Sequence, residues 1–156
     1  MPIVQLSLSQ PTHGWLPVRI ELGKTITEFV ASDVPNNPVE ELCDAITSTA
    51  SGNEGTVWWN LEPDGYFLEL SNAQEQVRLR LLYAKNSAEN GTVEAASAIG
   101  SKSEVLMPLW RALRQFESLH IQEPHWPPTR LVGLGELRDA LQTAGYNSFN
   151  PTTGVG

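Results

Sequence analysis

Positive charge is scarce in this chain and is missing altogether from its middle. Ten lysines and arginines stand against eighteen aspartates and glutamates, a formal net of −8. Such a surface repels phosphate backbones and anionic lipid, so neither nucleic acid nor membrane is expected as a partner. Cysteine is nearly absent: Cys43 stands alone. No internal disulfide and no multi-cysteine zinc site can therefore form, and a reducing cytoplasm is the expected location. No apolar run approaches the roughly 20 residues of a membrane-spanning helix. The start, Met1-Pro-Ile-Val-Gln-Leu6, has neither a basic region nor a long apolar stretch, so no secretory leader is expected. Also lacking are a Gly-x-Ser-x-Gly elbow, a Walker loop, a Cys-x-x-Cys pair and a His-Glu-x-x-His helix. With them go the common signatures of hydrolase, nucleotide, redox and zinc-protease chemistry.

What is present suffices for a core. The chain has 156 residues, 40% hydrophobic and 18% charged, which fits one globular domain and excludes wholesale disorder. The charge is unevenly spread. Residues 25–77 hold ten acids (Glu28, Asp33, Glu40, Glu41, Asp44, Glu54, Glu62, Asp64, Glu69 and Glu75) and no base. The remainder holds eight acids and ten bases. A lopsided field of this kind either aids solubility or captures a positively charged partner.

The hydrophobic pattern predicts a sheet followed by helices. Val4, Leu6 and Leu8 alternate with polar residues, then Leu16, Val18, Ile20 and Leu22 alternate with Trp15, Arg19 and Glu21. Gly23-Lys24 reads as a hairpin, with Thr25–Ser32 pairing back. Asn37 caps a helix with Pro38 at its first position, Glu40 and Glu41 at its positive end, and Gly52 as its stop. Strands are predicted at Thr56–Leu61, Tyr66–Leu70 and Val77–Tyr83, with Glu62-Pro63-Asp64-Gly65 as a turn, and an edge strand at Val93–Ile99. A helix over 104–119 starts late or kinks at Pro108. Residues 120–130 form an irregular proline-rich strap pinned by Trp126, and a last helix spans 134–144 with Gly145 as its cap. The expectation is an α+β fold, with a single antiparallel sheet of about six strands and two to three helices mainly on one face. One domain spans 1–146, with a flexible tail at 147–156.

Chemistry-bearing residues are few. Cys43 lies on an apolar helical stripe and reads as a small buried hydrophobe rather than a nucleophile. His120, Glu123 and His125 have ligand chemistry, but Pro124, Pro127 and Pro128 break any regular spacing, so no metal is expected. No cofactor and no catalytic residue is expected either. Asn90-Gly-Thr92 reads as a loop Asn-Gly rather than a glycosylation acceptor. Trp58 and Trp59 point to opposite faces of their strand. Trp59 belongs to the core, and the pattern leaves Trp58 either exposed as an interface anchor or covered by a helix. Glu40 and Asp44, four apart, set like charges together on the first helix.

Three stretches, Ala31-Ser-Asp-Val-Pro-Asn-Asn-Pro-Val-Glu-Glu-Leu-Cys-Asp-Ala45, Trp59-Asn-Leu-Glu-Pro-Asp-Gly-Tyr66 and Leu109-Trp-Arg-Ala-Leu113, resemble small bacterial α+β families grouped with immunity proteins of polymorphic toxin systems. The resemblance implies a non-enzymatic protein that binds and blocks a toxin, a basic nuclease among the options. The base-free stretch 25–77 makes the expected partner a basic protein, with Glu40, Glu41, Asp44, Trp58, Glu62 and Asp64 as the contact residues. Two alternatives stand beside it. One is a homodimer acting as an assembly subunit. The other is a small enzyme or ligand-binding module with the 120–130 strap as its lid.

Overall fold

Alternation in the first thirty residues closes into a three-stranded antiparallel sheet. The computed structural model describes residues 2–88 and 91–149. In it β1 (Val4–Leu8), β2 (Trp15–Leu22) and β3 (Thr25–Ser32) pair in that order. Leu6 lies opposite Ile20, Leu8 opposite Val18, and Val18 opposite Phe29. Residues directly opposite share a face, so this register gathers the apolar side chains on one side.

The first helix, α1 (Pro38–Ala50), begins where the capping signals place it. The Val39 N–H donates to Asn37 Oδ1 at 3.1 Å, a cap worth about 1 kcal/mol. Val39, Leu42, Cys43 and Ile46 form its buried stripe. A four-stranded antiparallel meander follows: β4 (Gly55–Asn60), β5 (Gly65–Ala73), β6 (Gln76–Ala84) and β7 (Val93–Ser101). Leu81 pairs with Ala96 but Leu82 with Glu94, so Ala95 is the extra residue of a bulge.

The next helix, α2 (Lys102–Ser118), leaves β7 without a loop. Ser101 Oγ accepts the Glu104 N–H while Glu104 Oε1 accepts the Ser101 N–H. This reciprocal box places the start at Lys102, two residues ahead of expectation, and Pro108 removes only one bond of the ladder. After the strap, α3 (Leu134–Phe149) continues through Gly145. The expected stop fails because glycine inside a helix costs only about 1 kcal/mol and ends it only in the left-handed conformation. Residues 150–156 of the expected tail, and Asn90, lie outside the described residues.

Two separate sheets of three and four strands replace the expected single sheet of about six. The reason is local. A third strand could join the four-stranded sheet only at β4 or β7, and β4's free edge is taken by side chains. Trp58 N–H donates to Glu41 Oε1 at 3.0 Å, and Asn36 Nδ2 donates to Trp58 O at 2.9 Å. With those groups satisfied, β3 and β4 pack through aromatic contact instead of pairing. Phe29 stacks on Tyr66 at 4.7 Å and meets Trp59 edge-on at 5.9 Å. Nor do the helices simply cover one face: α2 touches β1 of one sheet and β6 and β7 of the other. One continuous apolar core joins the two sheets and the helices.

Candidate functional site

The end of β4 is where the acidic segment folds back on itself. The loop 33–37, the first turn of α1 and the β4–β5 turn converge there. Asn60 Nδ2 donates to Val34 O at 2.6 Å, and Ser32 Oγ donates to Glu62 Oε1 at 3.2 Å. Tyr83 Oη donates to Asp64 Oδ2 at 2.6 Å. That bond, more than burial, raises the tyrosine pKa, since losing the proton would set two anions side by side. Glu41 holds the open edge of β4, and there burial pushes its pKa up. The Trp58 N–H and Asn36 amide oppose the rise, and Asp44 adds to it. Asn36 Oδ1 is buried with no partner.

Five of the six contact residues named from sequence are carboxylates. Glu41, Glu62 and Asp64 gather around this end, with Asp33 beside them. Glu40 and Asp44 ride the flank of α1 that faces the strap. There the Arg130 N–H donates to Glu40 Oε2 at 2.6 Å, and Asn37 Nδ2 donates to Thr129 Oγ1 at 3.1 Å. Asp44 and Glu62 are exposed. Trp58 is only 7% exposed, which settles the open question about it. It is buried with Phe67 at 4.6 Å, Leu82 and Ala84 on the second face of the four-stranded sheet, its ring over Gly65. It is therefore no exposed anchor, and a homodimer built on it loses its motive.

Among the described side chains the exposed tryptophan is Trp15, at 39%. It stands directly opposite Ser32, whose hydroxyl holds Glu62. The same face carries Val30, also exposed, two residues before Ser32. The alternation that turned Leu16 inward turned Trp15 outward, so its exposure was legible. That Ser32, opposite it, bonds Glu62 was not, because that contact joins residues thirty apart. Asn36, which bonds the β4 edge, had no signal in the sequence.

Ion pairing sharpens the picture. Arg19 lies within 3.8 Å of Glu21 and 3.5 Å of Glu28, and Arg80 within 3.2 Å of Glu69 and 2.9 Å of Glu94. Arg114 holds Glu117 at 2.8 Å. Among the described residues, no cation comes within 4 Å of Asp33, Glu40, Glu41, Asp44, Glu62 or Asp64. None of the six is held in a direct ion pair, although Lys85 follows Ala84 opposite Gly65 and the Arg130 backbone bonds Glu40.

The other chemical groups are occupied structurally. Cys43 is buried, its thiol pushed up to about 11 by burial and then by Asp44, Glu117 and Glu40. Its Sγ lies 3.6 Å from Val132 O. His125 Nδ1 accepts the His13 N–H at 3.3 Å, and the two rings lie 4.8 Å apart. No group of three or more metal-ligating side chains occurs among the described residues. Under the strap a cavity of about 120 Å³ is lined by Phe116, Glu117, His120 and Trp126 among others. That is well below the roughly 300–1,000 Å³ of a small-molecule site. No helix among the described residues is long and apolar enough to cross a membrane. Set against known proteins, the chain matches no family model, no curated protein and no solved structure.

Proposed function

We propose that this chain is a binding protein that holds a basic protein against its acidic end, and that it serves as an immunity protein neutralising a bacterial toxin, a nuclease in the narrowest form of the reading. The observation that carries it is the group of six carboxylates around α1 and the β4–β5 turn that have no cation within 4 Å among the described residues. Like charges held this close repel one another, and a complementary cationic surface relieves that repulsion. Asp44 and Glu62 are the exposed carboxylates, and Asp64, half-buried, holds the Tyr83 hydroxyl. Glu40 and Glu41 contribute field while their oxygens hold the Arg130 and Trp58 amides. Trp15 replaces Trp58 as the aromatic contact, because it is exposed opposite Ser32, whose hydroxyl holds Glu62, and tryptophan is enriched at interface hot spots. The mechanism is occlusion with electrostatic steering, and no bond is made or broken. The immunity role itself rests on the resemblance of the three sequence stretches.

The test is binding to a toxin domain encoded beside this gene, followed by calorimetry at low and high salt. The reading expects affinity to fall at least tenfold when Glu62 and Asp64 are both changed to Lys, and to fall with added salt. Affinity indifferent to salt and to these changes overturns the electrostatic mechanism. A gene neighbourhood without a basic toxin overturns the immunity role.

A further inference from the structure

Two open sheets leave four outer edges, and three of them are managed differently from the fourth. α2 lies along β1. Side chains of Glu41 and Asn36 occupy β4 at Trp58. β3 carries Glu28 and ends beside Asp33 and Glu62, so a second copy brought to it meets its own negative charge. β7 is blunted only near its start, by Glu94 and the bulge at Ala95, and its stretch from Ala96 onward carries no charge. No backbone hydrogen bond from another segment reaches its outer side among the described residues. Six of its nine residues are Ala, Ser or Gly, and it has neither the Pro nor the Lys that commonly blunt an edge. Its two large apolar side chains, Val93 and Ile99, are 64% and 47% exposed.

Charge decides what such an edge can accept. Arg78 and Arg80 of β6 share an outer face with Glu69 of β5 and Glu94 of β7, so this face is balanced in a chain of net −8. Arg80 is matched by both carboxylates. Arg78, opposite Ile99, is exposed and has no carboxylate within 4 Å among the described residues. With Glu94, Ser97 and Ile99 it borders a shallow hollow of about 330 Å³. Two strongly negative molecules can approach only where local charge cancels, and here it does.

We propose that β7 pairs antiparallel with β7 of a second copy across a two-fold axis, joining two four-stranded sheets into one of eight strands. A two-fold axis sets one edge against itself, so a self-compatible edge suffices. Small side chains let the backbones approach flush over Ala96–Ser101, beyond the bulge at Ala95. Ile99 fills the partner's hollow, and Arg78 reaches across it toward the neighbouring strand. The uninterrupted stretch is short, so the dimer is weak, with Kd on the order of 10–100 µM. This association uses none of the acidic end and stands apart from the binding function proposed above.

Sedimentation velocity over a concentration series tests it on the full chain. The expected result is a shift from the 17.2 kDa monomer toward twice that mass, with Ile99→Lys weakening association at least tenfold. Ile26→Lys, at an exposed site on β3, leaves association unchanged. A mass that stays monomeric up to about 500 µM overturns the proposal. So does a dimer that survives Ile99→Lys, or one that Ile26→Lys abolishes. Hydrogen exchange of the wild type gives an independent reading: the β7 amides slow as concentration rises, and exchange independent of concentration again overturns it.

Discussion

Gly65 closes the β4–β5 turn as expected, but from inside the strand. It opens β5 opposite Asn60, and an added Cβ would collide with Trp59 O and the Trp58 ring. Gly65→Ala is therefore expected to cost about 1–3 kcal/mol, read as a lower urea midpoint, since neither backbone nor indole can yield cheaply. Glu41 shows a different cost at the same strand. Its pKa is raised above the ordinary 4.5, so the folded chain holds this proton more tightly than the unfolded chain. The stability that follows is fully present below about pH 4.5 and is lost as pH rises through the raised value. Glu41→Gln keeps an oxygen to accept the Trp58 N–H and removes the buried charge. The variant should be more stable than wild type at about pH 7, with the gap closing near pH 4 in parallel urea titrations. A gap that widens on acidification would contradict this account. Both arguments turn on contacts to Trp58, whose outward phase was visible in the strand pattern but whose cover was not.

At the scale of elements, the strap from 120 to 133 behaves as a clasp on α1. Arg130 and Val132 reach Glu40 and Cys43, Thr129 reaches Asn37, and Trp126, 1% exposed, is buried against Phe116 at 6.2 Å. Cys43, with its thiol near 11, should react with a thiol reagent only when the clasp opens. Glu40→Ala removes a charge-assisted bond worth about 1.5–3 kcal/mol, so labelling of Cys43 should speed at least tenfold while far-ultraviolet circular dichroism is unchanged. Elements such as these were legible to different degrees. The strands of both sheets, the Asn37 cap and the Trp126 pin follow from period, capping chemistry and proline content, all local. The break between β3 and β4 does not, because it depends on Glu41 and Asn36 reaching a strand seventeen or more residues away. The capping box that starts α2 at Ser101 is local as well, but Pro108 masked it by suggesting a later start.

For the molecule as a whole, net charge and its placement set stability and binding against each other. Six carboxylates around α1 and the β4–β5 turn have no cation within 4 Å among the described residues, and their mutual repulsion is lost on unfolding. Added salt should therefore raise the unfolding midpoint until screening is complete, over about 0.02–0.3 M, where the Debye length shrinks to within-cluster distances. Asp44 isolates the effect best. It is exposed, lies four residues after Glu40, and its carboxylate has no ion pair among the described residues. Asp44→Lys turns a repulsive helix pair into an attractive one, worth about 0.3–0.5 kcal/mol, and should flatten the salt dependence. If the acidic end exists to hold a basic partner, the same substitution weakens that binding, so stability rises as affinity falls. An acidic end that merely aids solubility predicts no such exchange: Asp44→Lys would stabilise the fold and leave binding untouched. Paired melting and calorimetry on this one variant thus distinguish charge retained for a partner from charge that simply faces water.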